Sequence, residues 1–422
     1  MSKIRIKNFG PIKEGCLEND GWMDVKKVTV FIGNQGSGKS TVAKVFSTMA
    51  WIEKAMVKGI LGQEELNPYK RFLKQLEYQR ITKYITNETI IEYSGNAFSF
   101  SFVNGSFKVY KSDGNGYFLP KIMYVPAERN FLSVVDRPDK LKNLPSTLYT
   151  FNDEYDLAKN LYADGIELPI NNAKFEYDKL NKLAHIGAMD GSFHIRLSEA
   201  SSGFQSTVPL YLVTKFLSDS LNKEEDLSIK EQSLEDQKKL EKEMKLIMED
   251  TQITPEIRQL YLRQISAKRK PSCFLNIVEE PEQNLFPSSQ RRILNELLKY
   301  ANATDGNQLI VTTHSPYIIN YLSIALQGKY LWKKINSSKG TAITAAKFGL
   351  SENPFKRLNQ IVPEDSLVSI SDTIVFEFDD KKGKISRLSS DEGIPSDMNY
   401  LNQSIREGNM LFDALLEIEE EI

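Results

Sequence analysis

The stretch GNQGSGKS at positions 33–40 carries the residues that most plainly suggest chemistry. Its glycines and its final Lys-Ser pair have the spacing of a phosphate-binding loop. An apolar run at 28–32 precedes it and a helical pattern follows from residue 41, so strand, loop and helix come in the required order. Glycines let backbone N–H groups close around phosphate oxygens, and the helix N-terminus adds partial positive charge. The alternative is a chance glycine turn before a helix.

Two side chains of this loop have specific predicted roles. Lys39 would reach the β- and γ-phosphates of a nucleotide, and the Ser40 hydroxyl would hold Mg²⁺. We therefore expect a nucleotide and Mg²⁺ as ligands. The predicted nucleotide-binding residues of the loop are Gly33, Asn34, Gln35, Gly36, Ser37, Gly38, Lys39, Ser40 and Thr41.

Adjacent acids end an apolar run at 274–278. Such a run predicts a core strand that delivers carboxylates to its C-terminal edge, where ligands bind in open α/β sheets. Like charges buried side by side are costly unless a cation compensates, and Mg²⁺ would do so. Glu279 suits the Mg²⁺ shell, and Glu280 suits orienting and deprotonating the attacking water. The alternative is a solvent-exposed acidic turn.

A histidine, His314, ends a further apolar run over 308–313. Because it follows a predicted core strand, as the acids do, we expect it to donate a hydrogen bond to the γ-phosphate. A purely structural histidine is the alternative.

A second helix start lies at Ser201, Ser202 and Gly203, ahead of a long apolar helix predicted over 206–221. An exposed helix N-terminus favours anions, so this turn predicts a second anion site, one without its own lysine. An ordinary helix N-cap is the alternative.

The remaining patterns describe the elements that would position these groups. Period-two alternation predicts a strand at 3–7 and antiparallel hairpins at 89–117, which we interpret as an arm. Residues 131–190 are expected to be mostly helical. A capping box and an apolar stripe predict a helical hairpin at 222–270, and an Asp/Gly turn predicts a β-hairpin at 373–385.

Three further residues have two open interpretations each. Glu128 and Arg129 follow a predicted core strand at 121–125, where they would open onto the nucleotide or form a surface ion pair. Phe9 would stack on adenine or simply pack beside its Gly-Pro turn.

The composition indicates a globular protein with two or three domains, since the chain has 422 residues of which 41% are hydrophobic and 26% charged. Cys16 and Cys273 lie far apart in sequence, which favours a reducing cytoplasm over a disulfide or metal framework. No apolar run approaches the roughly 18 residues of a membrane span, and the N-terminus lacks a signal-peptide pattern. We expect a cytoplasmic protein without a membrane partner. The net charge of −2 gives no global attraction to nucleic acid, so DNA would need a local patch.

In this order, the motifs resemble those of the ABC-class ATPases, specifically the soluble branch that contains RecF, SMC proteins and OLD-type ATPases. Residues 33–40 match the Walker A loop, 200–205 the signature, 274–280 the Walker B strand with its catalytic glutamate, and His314 the switch histidine. Glu279 replaces the usual aspartate. The Glu-Glu-Pro-Glu and Thr-His-Ser-Pro wording is most similar to standalone ATPases of bacterial anti-phage systems, such as those of PARIS and Septu.

Departures from the transporter pattern also matter. Phe204 stands where a transporter-type signature has Gln or Glu, so the resemblance there depends on Ser201 and Gly203. No Gln-loop glutamine is visible, and the segment at 126–130 occupies its place.

The resemblance implies an α/β fold, a P-loop ABC-type ATPase head in which a mixed β-sheet with flanking helices is joined by an antiparallel β-layer. The expected segments are a first part of the core at 1–221, a helical insert at 222–270, a second part of the core at 271–325 and a small C-terminal α+β region at 326–422.

The resemblance also implies a mechanism. Two copies would close head to tail as a homodimer around two ATP molecules, with Lys39, Glu280 and His314 as the catalytic residues. Ser201 and the helix after it would reach the partner's γ-phosphate. Hydrolysis would then reopen the dimer and control a separately encoded effector, such as a nuclease.

Three other functions are open. A DNA-repair ATPase like RecF would bind DNA through the basic run at 268–270. A self-contained nuclease would use Asp379 and Asp380 as metal ligands. A transporter ATPase is disfavoured by Phe204.

Overall fold

The structure is a computed structural model that describes residues 2–62, 69–112, 116–135, 138–141, 143–222, 270–338, 354–391, 394–395 and 399–420. Nearly all of the helical hairpin predicted at 222–270 lies outside the described residues, and so do the first two residues of the basic run at 268–270. Predictions about those residues stay predictions.

The described part contains strands and helices throughout, as the alternating sequence patterns predict. In chain order, the strands are β1 (Lys3–Phe9), β2 (Gly15–Cys16), β3 (Trp22–Asp24), β4 (Val28–Gly33), β5 (Ile85–Ser94), β6 (Phe98–Val103), β7 (Ser106–Lys111), β8 (Pro120–Val125), β9 (Ile166–Glu167), β10 (Ala173–Asp178), β11 (Leu183–Ala188), β12 (His194–Arg196), β13 (Cys273–Glu279), β14 (Gln308–Thr313), β15 (Thr373–Asp379), β16 (Lys384–Arg387), β17 (Ser390–Asp391) and β18 (Ile394–Pro395). The helices are α1 (Lys39–Val57), α2 (Tyr69–Tyr78), α3 (Phe131–Val134), α4 (Ser146–Leu161), α5 (Ser202–Asn222), α6 (Pro287–Asn302), α7 (Pro316–Ser338), α8 (Pro354–Ile361) and α9 (Tyr400–Glu420). Within the described ranges, none of these helices has the length and apolar character needed to cross a membrane.

The core of the fold is a mixed sheet in the order β2-β16-β15-β4-β14-β13-β8. Its strands from β8 to β15 run parallel, which brings their C-terminal ends to one edge. Every residue of β4 and β13 is buried, as expected for parallel strands covered on both faces. Val30 and Ile32 pack into the core that includes α5, α6 and α7, whereas Phe31 packs into the core that includes α1. The fold is therefore the expected α/β architecture, with helices flanking a mixed sheet.

An antiparallel sheet in the order β3-β1-β5-β6-β7 covers the α1 side. The hairpins predicted at 89–117 are therefore confirmed for β5 to β7, but they do not form a separate arm. β5 pairs with β1 over most of its length, with Ile4 opposite Tyr93, so the hairpins and the N-terminal strand form one layer. The alternation of apolar residues along β5 to β7 is explained by this packing against α1.

The segment predicted to be mostly helical at 131–190 contains α3 and α4 but then forms strands, so that prediction is wrong for its second half. β9, β10, β11 and β12 make a separate antiparallel sheet. Its strands are short and alternate, with Ala173 and Phe175 buried on one face, and such short runs carry a weak sequence signal. β12 leads directly towards the start of α5.

The β-hairpin predicted at 373–385 is confirmed as β15 and β16. β15 pairs in parallel with β4, and Phe378 lies opposite Gly33 at the start of the phosphate loop. The predicted C-terminal region at 326–422 thus supplies strands to the same sheet that carries the loop, and the predicted boundary at 325 falls within the part of the chain that builds this sheet.

Candidate functional site

The predicted site residues meet at the C-terminal edge of the central sheet. β4 runs into the phosphate loop, β13 ends at Glu279, and β14 ends just before His314. The strand register explains their proximity, because Glu279 pairs with Thr312 and Thr313 pairs with Ile32. Three stretches that are far apart in sequence therefore deliver their polar ends to one place, as expected for ligand sites in open α/β sheets.

Two glycines of the loop are required by its geometry. Gly33 has a φ of 143°, and a Cβ there would lie 2.5 Å from the carbonyl oxygen of Phe378. Gly38 has a φ of 102°, and a Cβ there would lie 2.4 Å from Cδ1 of Ile12. Both positions combine a left-handed backbone with close packing, which only glycine tolerates. α1 then begins at Lys39, so the N-terminal end of the helix faces the loop.

Lys39 is the cation of this edge. Its side chain is only 4% exposed, and Nζ donates to the carbonyl oxygens of Gly33 (2.8 Å) and Asn34 (2.7 Å). Burial lowers the pKa of Lys39 to about 8, although the carboxylates of Glu280 and Glu282 oppose this shift. The ammonium group is therefore held within the loop, close to the carboxylates that end β13.

His314 lies between Lys39 and Glu280. Its Nδ1 is 3.4 Å from Lys39 Nζ, and its Nε2 is 3.4 Å from Glu280 Oε1. Because a lysine ammonium can only donate, Nδ1 acts as the acceptor and the neutral imidazole carries its proton on Nε2, towards Glu280. The contact with His314 lowers the pKa of the Glu280 carboxyl, so this residue is held as a carboxylate.

Glu279 is the buried acid of the pair, at 4% exposure. Its Oε2 accepts a hydrogen bond from the backbone N–H of Ala127 (3.3 Å), whereas its Oε1 is buried without any hydrogen-bond partner. A buried carboxylate oxygen without a partner is costly, and a hard cation such as Mg²⁺ would compensate it. The Glu279 carboxylate therefore fits a Mg²⁺ ligand, and the Ser40 hydroxyl, in the first turn of α1, is the other oxygen that would hold the ion.

Glu282 is a further site residue that the sequence analysis did not single out. Its Oε1 accepts hydrogen bonds from the backbone N–H of His314 (2.7 Å) and from the hydroxyl of Thr313 (2.8 Å). Burial raises the pKa of this carboxyl. Glu282 therefore holds the end of β14, and with it the histidine, against the turn after β13. The available signal was the third acid in Glu-Glu-Pro-Glu.

Arg129 has neither of the roles considered from the sequence. Its side chain is fully buried at 0% exposure, while its neighbour Glu128 is exposed, so the pair is not a surface ion pair and Arg129 does not open onto the nucleotide. The guanidinium instead donates to backbone carbonyl oxygens. These belong to Pro126, Glu279, Glu280 and Ser206.

The predicted signature forms a second helix start on the surface. α5 begins at Ser202, four residues earlier than predicted, and Ser201 and Ser202 are exposed. The side chain of Gln205 stabilises the turn, because its Nε2 donates to the carbonyl oxygens of Ser198 and Ala200, both at 3.0 Å. A Cβ on Gly203 would lie 3.0 Å from the carbonyl oxygen of Asn284, so this glycine permits close contact with the loop after β13.

Three other residues singled out from the sequence have structural contacts. Phe9 is 0% exposed and meets the Tyr84 ring edge to face at 5.8 Å, so the packing interpretation is confirmed. Asp379 accepts hydrogen bonds from the backbone of its own turn. Asp380 Oδ2 accepts from the side-chain amide of Asn34 in the phosphate loop, at 3.1 Å. Within the described residues, no group of three or more His, Cys, Asp and Glu side chains is placed to hold a metal ion, so Asp379 and Asp380 belong to no such group.

One family model and several solved structures are similar to this chain. Residues 257–319, which include the acids that end β13 and His314, match the family model described as AAA ATPase domain. No curated protein matches the chain. Among solved structures, an SMC head domain from Thermotoga maritima is similar at 12% identity and a TM-score of 0.32, covering 76% of this chain and 90% of that one. An SMC head bound to the C-winged helix domain of ScpA is similar at 11% identity and a TM-score of 0.34, covering 76% and 91%. The family match and the site support ATP binding and hydrolysis.

Proposed function

We propose that this protein is an ATP-hydrolysing switch that closes as a homodimer around two ATP molecules and thereby controls a separately encoded effector. The observation that carries the proposal is the separation of two helix starts. The one at Lys39 has a buried cation and adjacent carboxylates, and the one at Ser202 presents exposed hydroxyls without a cation. Each supplies what the other lacks for enclosing a γ-phosphate.

The hydrolysis step follows from the side chains at the strand ends. The loop N–H groups and Lys39 bind the phosphates. The Glu280 carboxylate orients a water molecule and accepts its proton as the water oxygen attacks the γ-phosphorus, while the bond from that phosphorus to the β–γ bridging oxygen breaks and ADP leaves. The Nε2–H group of His314 is released to the γ-phosphate when it turns from Glu280, and it stabilises the charge that develops there. Ser40 and Glu279 would hold Mg²⁺, which would neutralise part of the phosphate charge.

The second helix start explains why a dimer is proposed. Ser201 and Ser202 are exposed, and the hydrogen bonds behind them lead to residues 197–200 and to the loop after β13. The free N-terminal end of α5 therefore points its partial positive charge at an open surface. In a head-to-tail dimer this surface would cover the γ-phosphate bound at the partner's Lys39, so that ATP joins the two copies and hydrolysis releases them.

The dimer, in this proposal, controls an effector protein. A reaction that makes and breaks a dimer yields a change of shape, which has a use when another protein senses it. The resemblance of Glu-Glu-Pro-Glu and Thr-His-Ser-Pro to standalone ATPases of anti-phage systems supports a nuclease as that protein and phage defence as the setting.

The deciding experiment uses a variant that binds ATP but does not hydrolyse it. Glu280→Gln removes the general base, so we expect turnover to fall by about 10² or more while ATP and Mg²⁺ convert the protein to a species of twice the mass. Analytical ultracentrifugation with and without ATP measures this, and Lys39→Ala is the control that should stay monomeric. Unchanged turnover in Glu280→Gln would remove the residue from its role, and a lasting monomer would overturn the dimer.

The effector is tested by capture. Tagged Glu280→Gln protein with ATP should retain the product of a neighbouring gene when the two are expressed together, and Lys39→Ala should retain less of it, because only the closed dimer presents the complete surface. Equal retention by both variants would separate the partner from the ATP switch.

A further inference from the structure

Arg129 connects parts of the site in a way that the hydrolysis step does not use. Its guanidinium donates Nη1 to Glu279 O (2.6 Å) and Pro126 O (3.2 Å), Nη2 to Glu280 O (2.6 Å), and Nε to Ser206 O (3.0 Å). A planar guanidinium has its five N–H donors in a fixed arrangement, so these acceptors are held at set positions relative to one another.

Arg129 is unusual because it is a charged side chain that is buried, and burying a charge is energetically costly. Arg129 is 0% exposed, and burial lowers its pKa to about 10 while the nearby carboxylates of Glu282 and Glu280 favour the charged form. Buried charges persist in proteins when every donor is satisfied. Here each of the three guanidinium nitrogens donates to a backbone oxygen, and the oxygens of Ser206 and Glu279 belong to segments 77 and 150 residues away in sequence, so the arginine links backbone segments of the site to one another.

The two linked segments belong to different functions. One is the end of β13, whose carbonyls belong to the acids that serve the nucleotide of the same subunit. The other is the first turn of α5, which presents Ser202 at the surface. One further contact joins the same two segments, since Asn284 Nδ2, in the loop after β13, donates to Ser206 Oγ at 3.1 Å. A second contact holds the same part of α5 from α3, where Ser133 Oγ donates to Gln205 O at 2.8 Å.

We infer that Arg129 is a positioning residue for both nucleotides of the dimer: it holds Glu279 and Glu280 beside the ATP of its own subunit, and through Ser206 it holds the helix start that reaches the partner's ATP. The inference depends on the proposed function, because the second nucleotide exists only in the closed dimer. It follows that a movement of the acids at one ATP also shifts the helix that completes the other.

A dimer with a single working site separates the two roles. One subunit carries Ser201→Arg and keeps its own phosphate loop, and the other carries Lys39→Ala and keeps its signature. Their mixed dimer, purified through two different tags, has one complete ATP site. Arg129→Lys, which keeps the charge but cannot span the same carbonyls, is then added to either subunit in turn, and kcat and KM for ATP are measured.

We expect Arg129→Lys to lower kcat by about tenfold or more in either subunit, since small displacements of catalytic groups have effects of this size. The informative case is the signature-donating subunit, whose own ATP site is inactive. If Arg129→Lys in this subunit lowers kcat, the effect reaches the working ATP site only through α5. The matched control is Glu154→Gln, which breaks the buried ion pair between Lys121 and Glu154 (2.8 Å) without touching either motif, and which should leave kcat near that of the unsubstituted pair.

The outcomes separate this inference from the proposed function. If Glu280→Gln protein with ATP and Mg²⁺ stays monomeric, the proposed function is overturned and the inference with it. If the unsubstituted mixed pair forms and hydrolyses ATP, but Arg129→Lys acts only in the ATP-binding subunit, the inference alone is overturned. Should Arg129→Lys not fold, Asn284→Gly removes the side chain that joins the loop after β13 to Ser206, and glycine tolerates the φ of 59° at this position. It carries the same expectation at smaller size, and full activity with it in the signature-donating subunit would equally count against the inference.

Discussion

The phosphate loop and the turn before α5 are both Ser/Gly segments that open a helix, yet they are built in opposite ways. The loop buries its functional side chain, Lys39, at 4% exposure, and its glycines adopt left-handed conformations. The turn exposes Ser201 and Ser202, and its glycine serves close packing against the loop after β13. We therefore expect the first to bind phosphate alone and, as in the proposed function, the second only to add to a phosphate already bound.

The difference lies in where each segment finds its charge. In the loop, a full positive charge lies among phosphate-facing N–H groups. At α5 the cation is Arg129, which lies behind the helix start. Its guanidinium donates to backbone carbonyl oxygens and presents no donor at the surface. A helix dipole at an exposed end contributes about 0.3–1 kcal/mol, less than a charge-assisted hydrogen bond. Nucleotide binding by the monomer and closure of the dimer should therefore be separable by mutation.

The largest effect is expected from Lys39→Ala. Loss of the buried cation should abolish measurable nucleotide binding, with affinity falling by about 10² or more, and no dimer should form. Fluorescent-nucleotide titration measures the affinity, and Lys179→Ala, an exposed lysine in the turn between β10 and β11, is the control. Binding retained within about tenfold would place the phosphate elsewhere.

Ser201→Arg tests the other side of the comparison. The longer side chain at the exposed turn should leave nucleotide binding by the monomer unchanged. It has no room where the turn must approach the partner's γ-phosphate, so dimer formation should weaken by about 10² or more. Sedimentation with ATP measures the dimer. Ser192→Arg, in an exposed turn outside the motif, should dimerise normally, and a Ser201→Arg protein that still closes would show that the signature assignment is wrong.

The same comparison explains what the sequence could predict. The sequence could predict the phosphate loop, the acids at the end of β13 and His314, because each directly follows an apolar run. In a parallel sheet, the C-terminal ends of such strands lie at one edge. Local pattern sufficed there. The position of β15 next to β4 was not accessible, since pairing of Thr373 with Val28 depends on the whole sheet order.

Arg129 shows where sequence reasoning fails in physical terms. A Glu-Arg pair after a strand is typical of a solvated surface, and nothing local marks the arginine as buried. Its acceptors are backbone carbonyls, which carry no residue type, and they come from distant segments. Burial of a polar side chain against backbone is thus visible only once the fold is assembled.

A smaller effect is expected from pH, and it should appear only in the phosphate loop. With a free-protein pKa of about 8, Lys39 loses its proton as pH rises through that value, and binding phosphate then requires its uptake again. ATP affinity should be level below pH 8 and fall by up to about tenfold per pH unit above it. Titrations from about pH 7 to 9.5 measure this. Lys39→Arg is the control: its ATP affinity should be weaker than that of the wild type but independent of pH, because arginine keeps its charge. A wild-type ATP affinity that did not change with pH would contradict the role of the Lys39 charge.

The smallest effect is expected from Glu282→Gln, which tests how the end of β14 is held. Glutamine keeps one acceptor for His314 N–H and Thr313 but loses the charge, so we expect kcat to fall by only a few-fold, on the scale of one weakened hydrogen bond, with KM for ATP unchanged.

Stability gives an independent readout of the same substitution. Because burial raises the pKa of Glu282, the folded wild-type protein binds a proton more readily than the unfolded chain, and its stability rises as pH falls. Glutamine does not titrate, so the stability of Glu282→Gln relative to wild type, measured by urea unfolding, should decrease between pH 7 and about pH 5. A difference that stayed constant over this range would mean that the Glu282 carboxyl titrates alike in both states, and then neither its burial nor its hold on His314 would be as described.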